Sequence, residues 1–138
     1  MTFEARHLCS FAIDVGAAQT VDEGEPLRRF VPIMGGTVSN GLTGRILSGG
    51  GDWQSVLADG TIEISAHYVI EIHGEGLVEI QSDGVRAVPE DNPDTVYFRT
   101  LIRFLTSAPG LKRLNKVLAI STGRRAANRV LLEISEIL

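Results

Sequence analysis

An all-β fold, either a sandwich or a closed barrel, is predicted by two features of this sequence. Short segments alternate between apolar and polar residues with a period of two, and glycine-containing turns separate them. The clearest segment is "TIEISAHYVIEIHG", in which every even-numbered residue from Ile62 to Ile72 lies on one mainly apolar face. Closing such a sheet into a barrel would also remove its exposed edges.

The other strands are predicted in chain order around this segment. "HLCSFAIDVG" places Cys9, Phe11, Ile13 and Val15 on one face, and "RRFVPIMGG", "LTGRILSGGG" and "WQSVLADG" follow it. The turn "GEG" then joins "TIEISAHYVIEIHG" to "LVEIQSDG" as a hairpin. "VPEDNPD" is predicted to be a loop, and "TVYFRTLIRFLT" and "VLAISTG" to be strands.

The last part of the chain gives conflicting signals. In "RRAANRVLLEISEIL" the apolar residues have helical spacing, so the period alone predicts a helix. "PGLKRLN" likewise predicts a helical turn before the strand "VLAISTG".

Composition and charge predict one globular domain over residues 1–138 and argue against nucleic acid as a partner. Hydrophobic residues make up 43% of the chain and charged residues 22%, which excludes a disordered protein. The net charge of -4 disfavours phosphate binding, which needs a basic face. Arg124, Arg125 and Arg129 cluster, but we interpret them as a solvated turn.

The sequence predicts a cytoplasmic protein without membrane association. The first residues lack the apolar run of a signal peptide, and no stretch approaches the roughly 20 apolar residues of a membrane span. Cys9 is the only cysteine, so it cannot form an intramolecular disulfide. Because it lies near Leu8 and Phe11, we interpret it as a small buried hydrophobe and not as a nucleophile.

Several short motifs occur together in one order, namely "VPIMGGTVSNGLTGRILSGGGDW", "HYVIEI", "DGVR", "YFRT", "LN" and "STGRR". On these motifs the chain resembles the bacterial family named domain of unknown function 3237, over nearly its whole length. The resemblance implies a lipocalin- or calycin-like closed antiparallel β-barrel with at most short helical turns. It implies no established activity and no catalytic residue. It also implies that the C-terminal segment closes the barrel as a strand, against its helical spacing.

The chain departs from the usual pattern of this family at three places. His67 stands where an arginine is usual, Leu105 where an acid is usual, and Lys112 and Arg113 where an aromatic pair is usual. If these positions line the cavity, its polarity and its ligand differ from those of the family.

The candidate site begins at the run "SGGGDW". Gly49, Gly50 and Gly51 tolerate positive φ and close backbone approach, so they suit a sharp bend at a barrel rim. Such a bend would turn Asp52 and Trp53 toward the lumen, where lost hydration raises the pKa of the carboxyl and allows acid or base catalysis. The alternative is structural: Asp52 caps the turn through backbone amides, and Trp53 belongs to the core.

Strand faces supply the remaining candidates. Tyr97, Arg99 and Arg103 lie on the face of their strand opposite to the apolar one. If the apolar face packs outside the barrel, Arg99 lines the cavity and stabilises negative charge on an oxygen, with Tyr97 and Arg103 as ligand contacts. If the apolar face fills the barrel, all three are solvated. The other predicted ligand-binding residues are Gly36, at a second glycine bend, Trp53, Tyr68, Arg86 and Asn115.

Metal, phosphate and triad chemistry are disfavoured. His67, Glu71 and His73 share a strand face, but four residues of strand span about 13 Å, so His67 and Glu71 cannot easily share an ion. No G-x-G-x-x-G opens a helix, and no G-x-S-x-G is present. We therefore expect no metal and no cofactor.

Three functions remain open. The first is a barrel that binds a small carbonyl-bearing or aromatic metabolite. The second is a cofactor-independent isomerase, cyclase or lyase, with Asp52 as the acid or base and Arg99 as the oxyanion stabiliser, with Tyr97 or Arg86 as further helpers. The third is a structural homo-oligomer whose apolar outer faces are subunit contacts.

Overall fold

The computed structural model describes residues 2–138. Within that range ten strands and one 3₁₀ helix occur in the order β1 (Ala5–Val15), β2 (Gln19–Asp22), β3 (Leu27–Ser39), β4 (Gly44–Ile46), β5 (Gly51–Val56), β6 (Ile62–Ile72), β7 (Gly76–Ala87), β8 (Tyr97–Leu105), the helix (Pro109–Lys116), β9 (Leu118–Ala126) and β10 (Arg129–Ile137).

The strands form a closed antiparallel barrel with eight strand positions, as predicted. β1 pairs with β10 on one side and with β3 on the other, so the first strand joins both ends of the sheet. β4 and β5 both pair with β3 and β6, and together they occupy one position. β2 pairs with the start of β3 and lies outside the closed circuit.

Alternate side chains fill the barrel interior. On β6 the even-numbered residues from Ile64 to Ile72 are at most 9% exposed, as the period of two predicts. On β8 the buried residues are Phe98, Thr100, Ile102 and Phe104. Burial of each large apolar side chain contributes about 1.5–3 kcal/mol, so the inward faces hold the sheet closed.

Cys9 belongs to this interior and is fully covered by its neighbours. Burial is the main reason that the pKa of its thiol rises to about 12, with a further contribution from Glu133. The thiol therefore stays protonated at neutral pH, in agreement with its interpretation as a buried hydrophobe.

The C-terminal residues form strand β10, so the helix predicted from their spacing is wrong. Leu132, Ile134 and Glu136 alternate inward in a strand that pairs with both β1 and β9. Tertiary pairing overrides local helix propensity here. The strand implied by the family resemblance is confirmed.

One end of the barrel is covered by the 3₁₀ helix, and we call this the closed end. The helical turn predicted for this segment is confirmed, and Leu111 and Leu114 are its buried residues. Asn115 docks the helix onto the end of β8: its Oδ1 accepts from the N–H of Thr106, and its Nδ2 donates to the carbonyl oxygen of Thr106, both at 2.8 Å. No helix in the described part of the chain is long and apolar enough to cross a membrane.

The buried carboxylate of Glu136 also stabilises the closed end. Glu136 is 3% exposed and accepts hydrogen bonds from Arg6 Nε at 2.9 Å and from Arg113 Nη1 at 2.8 Å. The bond from Arg113 is the largest cause, and the bond from Arg6 the next, that holds the pKa of Glu136 below its ordinary value. Arg113, one of the departures from the family pattern, therefore stabilises the fold and does not line a cavity.

Candidate functional site

The end of the barrel opposite the 3₁₀ helix, which we call the open end, contains a cavity of about 130 Å³. Its apolar wall consists of Ile13, Val15, Val31, Ile33, Ile62, Ile64, Ala66, Phe98, Val130 and Leu132. Its polar lining residues are Asp52, Gln54, Tyr68, Ser82, Arg86, Thr100 and Arg125. A mainly apolar pocket with a few placed polar groups is the usual form of a small-molecule site.

Asp52 reaches this cavity because of the glycines before it. Gly49 has a φ of 107°, and a Cβ on Gly50 would lie 2.5 Å from the Cβ of Tyr68. The chain therefore bends and approaches β6 in a way that other residues do not allow. β5 begins at Gly51, and Asp52 lines the cavity. The predicted bend and the predicted inward position of Asp52 are confirmed.

Two donors fix the orientation of the Asp52 carboxylate. Its Oδ2 accepts from Gln54 Nε2 at 2.6 Å, and its Oδ1 accepts from the backbone N–H of Ser65 at 3.1 Å. The Oε1 of Gln54 accepts in turn from Arg29 Nε at 2.6 Å. Because a guanidinium can only donate, Gln54 must present its NH₂ group to Asp52.

Burial raises the pKa of Asp52 from 3.8 to about 6. The hydrogen bonds from Gln54 and Ser65 and the charge of Arg29 oppose this rise, whereas Asp83 adds to it. The carboxyl group is therefore mainly ionised at neutral pH and takes up a proton just below it. That is the range in which a general base is effective.

Tyr68 brings a hydroxyl without a partner to the same cavity. The residue is 2% exposed, and its Oη has no hydrogen-bond partner among residues 2–138. Its ring packs against Phe11 edge to face, with centroids 6.2 Å apart. Burial is the main cause that raises the pKa of Tyr68, with smaller effects from Cys9 and Asp52, so the hydroxyl keeps its proton.

Asp52 and Tyr68 are diagonal neighbours on the inner face of the barrel. Asp52 pairs with Ala66, and Tyr68 follows two residues later on the same face of β6. Diagonal neighbours in an antiparallel sheet have Cβ atoms about 7 Å apart. One small molecule can therefore contact both side chains.

Two arginines lie at the open end. Arg86, near the end of β7, is half-buried and lines the cavity as predicted. Arg125, near the end of β9, is more exposed and donates from Nε to the carbonyl oxygen of Ala127 at 3.1 Å. Neither forms a salt bridge with an acid of residues 2–138.

Trp53 lies outside the cavity, so the prediction that it turns inward is wrong. Successive residues of a strand point to opposite faces, and Asp52 occupies the inward position. The indole is 47% exposed and packs on the outer surface against Phe30, with ring centroids 4.6 Å apart.

Arg99, Tyr97 and Arg103 also lie outside, because the apolar face of β8 fills the barrel. The guanidinium of Arg99 lies 5.0 Å from the centroid of the Tyr97 ring and donates to the carbonyl oxygen of Phe98. Arg103 is exposed. The interpretation that places these three residues in the cavity is wrong, and the solvated alternative is the observed one.

Gly36 and Asn115 are likewise remote from the cavity. Gly36 has a φ of 145°, and a Cβ there would lie 2.1 Å from the carbonyl oxygen of Ala12. The residue lets β3 bend where it leaves β5 and meets β1 and β4. Asn115 belongs to the closed end, so both residues serve the fold and not the cavity.

Four polar lining residues, Gln54, Ser82, Thr100 and Arg125, are not among those predicted from the sequence, and local rules point to two of them. Gln54 follows Asp52 by two residues, so the alternation that places Asp52 inward also places Gln54 inward. Arg125 lies within the arginine cluster that was interpreted as a solvated turn. Alternation along β9 indicates its position, because Ser121 is fully buried and Arg125 lies four residues further on the same face.

The histidines and acids of β6 lie on the outer surface. His67 contacts Glu79, and Glu71 accepts from Arg45 Nε at 2.9 Å. Among residues 2–138 no group of three or more His, Cys, Asp or Glu is placed to hold a metal ion.

Comparison with known proteins agrees with the family resemblance. The model of a family described as "Protein of unknown function (DUF3237)" matches residues 3–137. A UPF0311 protein of Rhodopseudomonas palustris is 29% identical and aligns with 99% of this chain and 98% of its own length. A UPF0311 protein of Clostridium acetobutylicum is 33% identical over 80% of this chain and 77% of its own.

Solved structures share the same fold. The crystal structure of a conserved protein of unknown function from Rhodopseudomonas palustris matches with a TM-score of 0.92 and 28% identity, covering 100% of this chain and 99% of that one. A structure described as a beta-barrel like protein from Acinetobacter baumannii matches with a TM-score of 0.91 and 27% identity, covering 100% and 98%. The closed barrel is therefore common to these proteins, whereas a specific lipocalin relationship stays a prediction.

Proposed function

Because the chain belongs to DUF3237, a family of proteins of unknown function, we propose a function from the cavity itself: the barrel binds a small, mainly apolar molecule through a carbonyl oxygen. The hydroxyl of Tyr68 is the observation that carries this proposal. It is buried and protonated and has no hydrogen-bond partner among residues 2–138, and Tyr68 is one of the residues that line the cavity.

A ligand oxygen would supply what Tyr68 lacks. A buried hydroxyl without a hydrogen bond costs about 1–3 kcal/mol, so such groups are rare unless a ligand or water satisfies them. The hydroxyl donates, and a carbonyl oxygen accepts without requiring a second donor. The apolar wall around it suits a hydrocarbon body attached to that carbonyl.

Cavity size limits this ligand to about one ring. The volume is about 130 Å³, close to that of an apolar protein cavity, about 150 Å³, that admits benzene. An aromatic or alicyclic ketone is therefore the expected class of ligand.

A pair of matched probes tests the proposal. Acetophenone and α-methylstyrene have the same shape, but only acetophenone has a carbonyl oxygen. We expect the protein to bind acetophenone about tenfold more tightly, as one hydrogen bond predicts, and Tyr68→Phe to abolish that preference. Titration monitored by NMR measures both affinities. Equal binding of the two probes by the wild-type protein would contradict the proposal.

Proton transfer is a second candidate function, favoured by the position of Asp52. Its carboxylate lies diagonal to Tyr68 and has a pKa of about 6. With a ketone oxygen on Tyr68, Asp52 would take a proton from the adjacent carbon, and Tyr68 would stabilise the enolate oxygen. This assigns to Tyr68 the role that sequence analysis gave to Arg99.

Deuterium exchange tests this second function. In D₂O the wild-type protein should incorporate deuterium into the methyl group of acetophenone, at a rate that rises through pH 6 and levels off above it, since the base must be ionised. Loss of the base should lower the rate by a factor of about 10²–10⁴. A rate equal to that of buffer alone would leave the protein as a binding barrel.

The variant for this test needs care, because Asp52→Asn alone would turn an amide donor toward Ser65 or Gln54. The double variant Asp52→Asn with Gln54→Glu avoids this conflict. The new amide donates to the new carboxylate, which accepts from Arg29, and its oxygen accepts from Ser65. Net charge and hydrogen bonding are kept, and only the position of the carboxylate changes.

A further inference from the structure

The residues that line the cavity carry more positive than negative charge, although the protein as a whole is acidic. The titratable residues that line the cavity are Asp52, Tyr68, Arg86 and Arg125. Tyr68 is neutral, so two guanidinium groups face one carboxyl group, in a chain whose net charge is -4. Asp52 already accepts hydrogen bonds from Gln54 and Ser65 and is not paired with either of the two arginines.

Arg86 and Arg125 approach the cavity from the two sides of Phe98. Arg86 pairs directly with Phe98 across β7 and β8. On the other side Gly123 leaves room for the same ring, since a Cβ there would lie 2.9 Å from it, and Arg125 follows two residues later. The two strands are about 10 Å apart and Arg125 is displaced by about 7 Å along β9, so the two backbones are about 12 Å apart, which two arginine side chains can span.

We propose that these two arginines bind a carboxylate of the ligand, so that the substrate class is that of ring-containing keto acids. The proposal rests on the proposed function, because the carbonyl oxygen of the same ligand is the one that contacts Tyr68. The planar fork of a guanidinium matches a carboxylate in a two-bond geometry. The Nη groups of Arg125 are available for it, since its hydrogen bond to Ala127 uses Nε.

The distance between Tyr68 and the two arginines suits such a ligand. Tyr68 pairs with Ile80, and Arg86 lies six residues further along β7. Six residues of strand span about 20 Å, part of which the side chains of Tyr68 and Arg86 cover. The remainder is about the length of one ring with a carbonyl at one side and a carboxylate at the other.

The test compares 4-acetylbenzoate with 4-acetylbenzamide, which have the same shape and differ in charge. The wild-type protein should bind the carboxylate about 30-fold more tightly, as expected for charge-assisted bonds from two arginines. Arg125→Gln should reduce this ratio to below about threefold, and Arg86→Gln should do the same. Calorimetric titration at pH 7.5 or NMR titration measures the ratio.

Arg124→Gln is the matched control. It removes the same charge from the neighbouring residue, which lies on the opposite face of β9 and lines an outer groove instead of the cavity. We expect the control to keep the wild-type ratio. A wild-type ratio near one, no binding of either probe, or an equal loss in Arg124→Gln and Arg125→Gln would overturn the carboxylate site.

Acetophenone separates this proposal from the one on which it rests. If Tyr68→Phe weakens acetophenone binding while Arg125→Gln leaves the carboxylate ratio unchanged, the carboxylate site is wrong and the carbonyl site stands. If Arg125→Gln abolishes the ratio while Tyr68→Phe has no effect on acetophenone, the carbonyl site is wrong. An anion site without a carbonyl contact then remains.

Discussion

The two ends of the barrel hold carboxyl groups of opposite character. At the closed end Glu136 accepts hydrogen bonds from two arginines, which lower its pKa. At the open end Asp52 accepts from a neutral amide and a backbone N–H, and burial raises its pKa to about 6. The surroundings thus stabilise the charged form of a carboxyl group at the closed end and destabilise the charged form of another at the open end.

This difference separates polar groups that hold the fold from groups that remain free for a ligand. The closed end satisfies its polar groups: Asn115 uses both ends of its amide, and Arg113 is paired with Glu136. The open end leaves the hydroxyl of Tyr68 without a partner and Arg86 without an acid among residues 2–138. Buried polar groups are normally satisfied, so the unsatisfied groups of this cavity support the proposal that it binds a ligand.

The largest expected effect concerns the pH dependence of stability at the open end. A folded pKa of about 6 against 3.8 in the unfolded chain means that the folded state holds a proton which the unfolded state has released. Between about pH 4 and pH 6 the free energy of unfolding should therefore fall by about 3 kcal/mol as the pH rises. Urea unfolding at several pH values measures this fall, and the double variant Asp52→Asn with Gln54→Glu, whose carboxylate accepts directly from Arg29, should show a smaller one. Identical pH profiles for the two proteins would contradict a strained Asp52.

A smaller effect of opposite sign is expected at the closed end. Glu136→Gln removes a charged acceptor from two arginines and should lower the free energy of unfolding by about 2 kcal/mol at pH 7. Because the folded pKa of Glu136 is lowered, this loss should be fully present above about pH 4.5 and should vanish as the pH falls through the folded pKa.

Glu133→Gln is the control for this measurement. Glu133 lies on the same strand but is exposed, and it bonds to Ser10 and His7 near the surface. An exposed pair of this kind contributes little to the free energy of unfolding, so the control should change that free energy by less than about 0.5 kcal/mol. Equal losses in the two variants would remove the distinction between the closed end and the surface.

The smallest expected effect is a gain in stability in the variant Tyr68→Phe. Tyr68→Phe removes a buried hydroxyl that has no partner in the described part of the chain, and it keeps the ring that packs against Phe11. In the absence of ligand the variant should be more stable than the wild type by about 1 kcal/mol. Tyr97→Phe, at an exposed position, should have no effect. Thermal unfolding measures both, and a loss of stability in Tyr68→Phe would indicate a hydrogen bond that the ligand-free cavity already supplies.

The sequence predicted most of the strand faces and one part of the site. Alternation places Tyr68 inward on β6, and the glycine run brings Asp52 into the cavity, because both depend on local backbone rules. Alternation also explains the error at Trp53: β5 begins at Gly51, so Asp52 and its neighbour cannot share a face.

Other features depend on pairing between distant segments. The tail has helical spacing, but its hydrogen bonds to β1 and β9 decide its conformation. The sequence predicts Arg99 in a strand and Arg125 in a solvated turn, yet Arg99 lies outside and Arg125 lines the cavity. Which face of β8 and β9 turns inward depends on the closure of the whole barrel, which no single segment encodes.

Carbon-detected NMR titration of the side-chain carboxyl groups tests the contrast between the two ends most directly, because Asp52 and Glu136 are observed in one sample. We predict that Asp52 titrates near pH 6 and Glu136 below its ordinary value of 4.5. If Asp52 titrated at or below 3.8, or if the two groups titrated in the reverse order, the open end would not be the strained, ligand-ready end of this barrel.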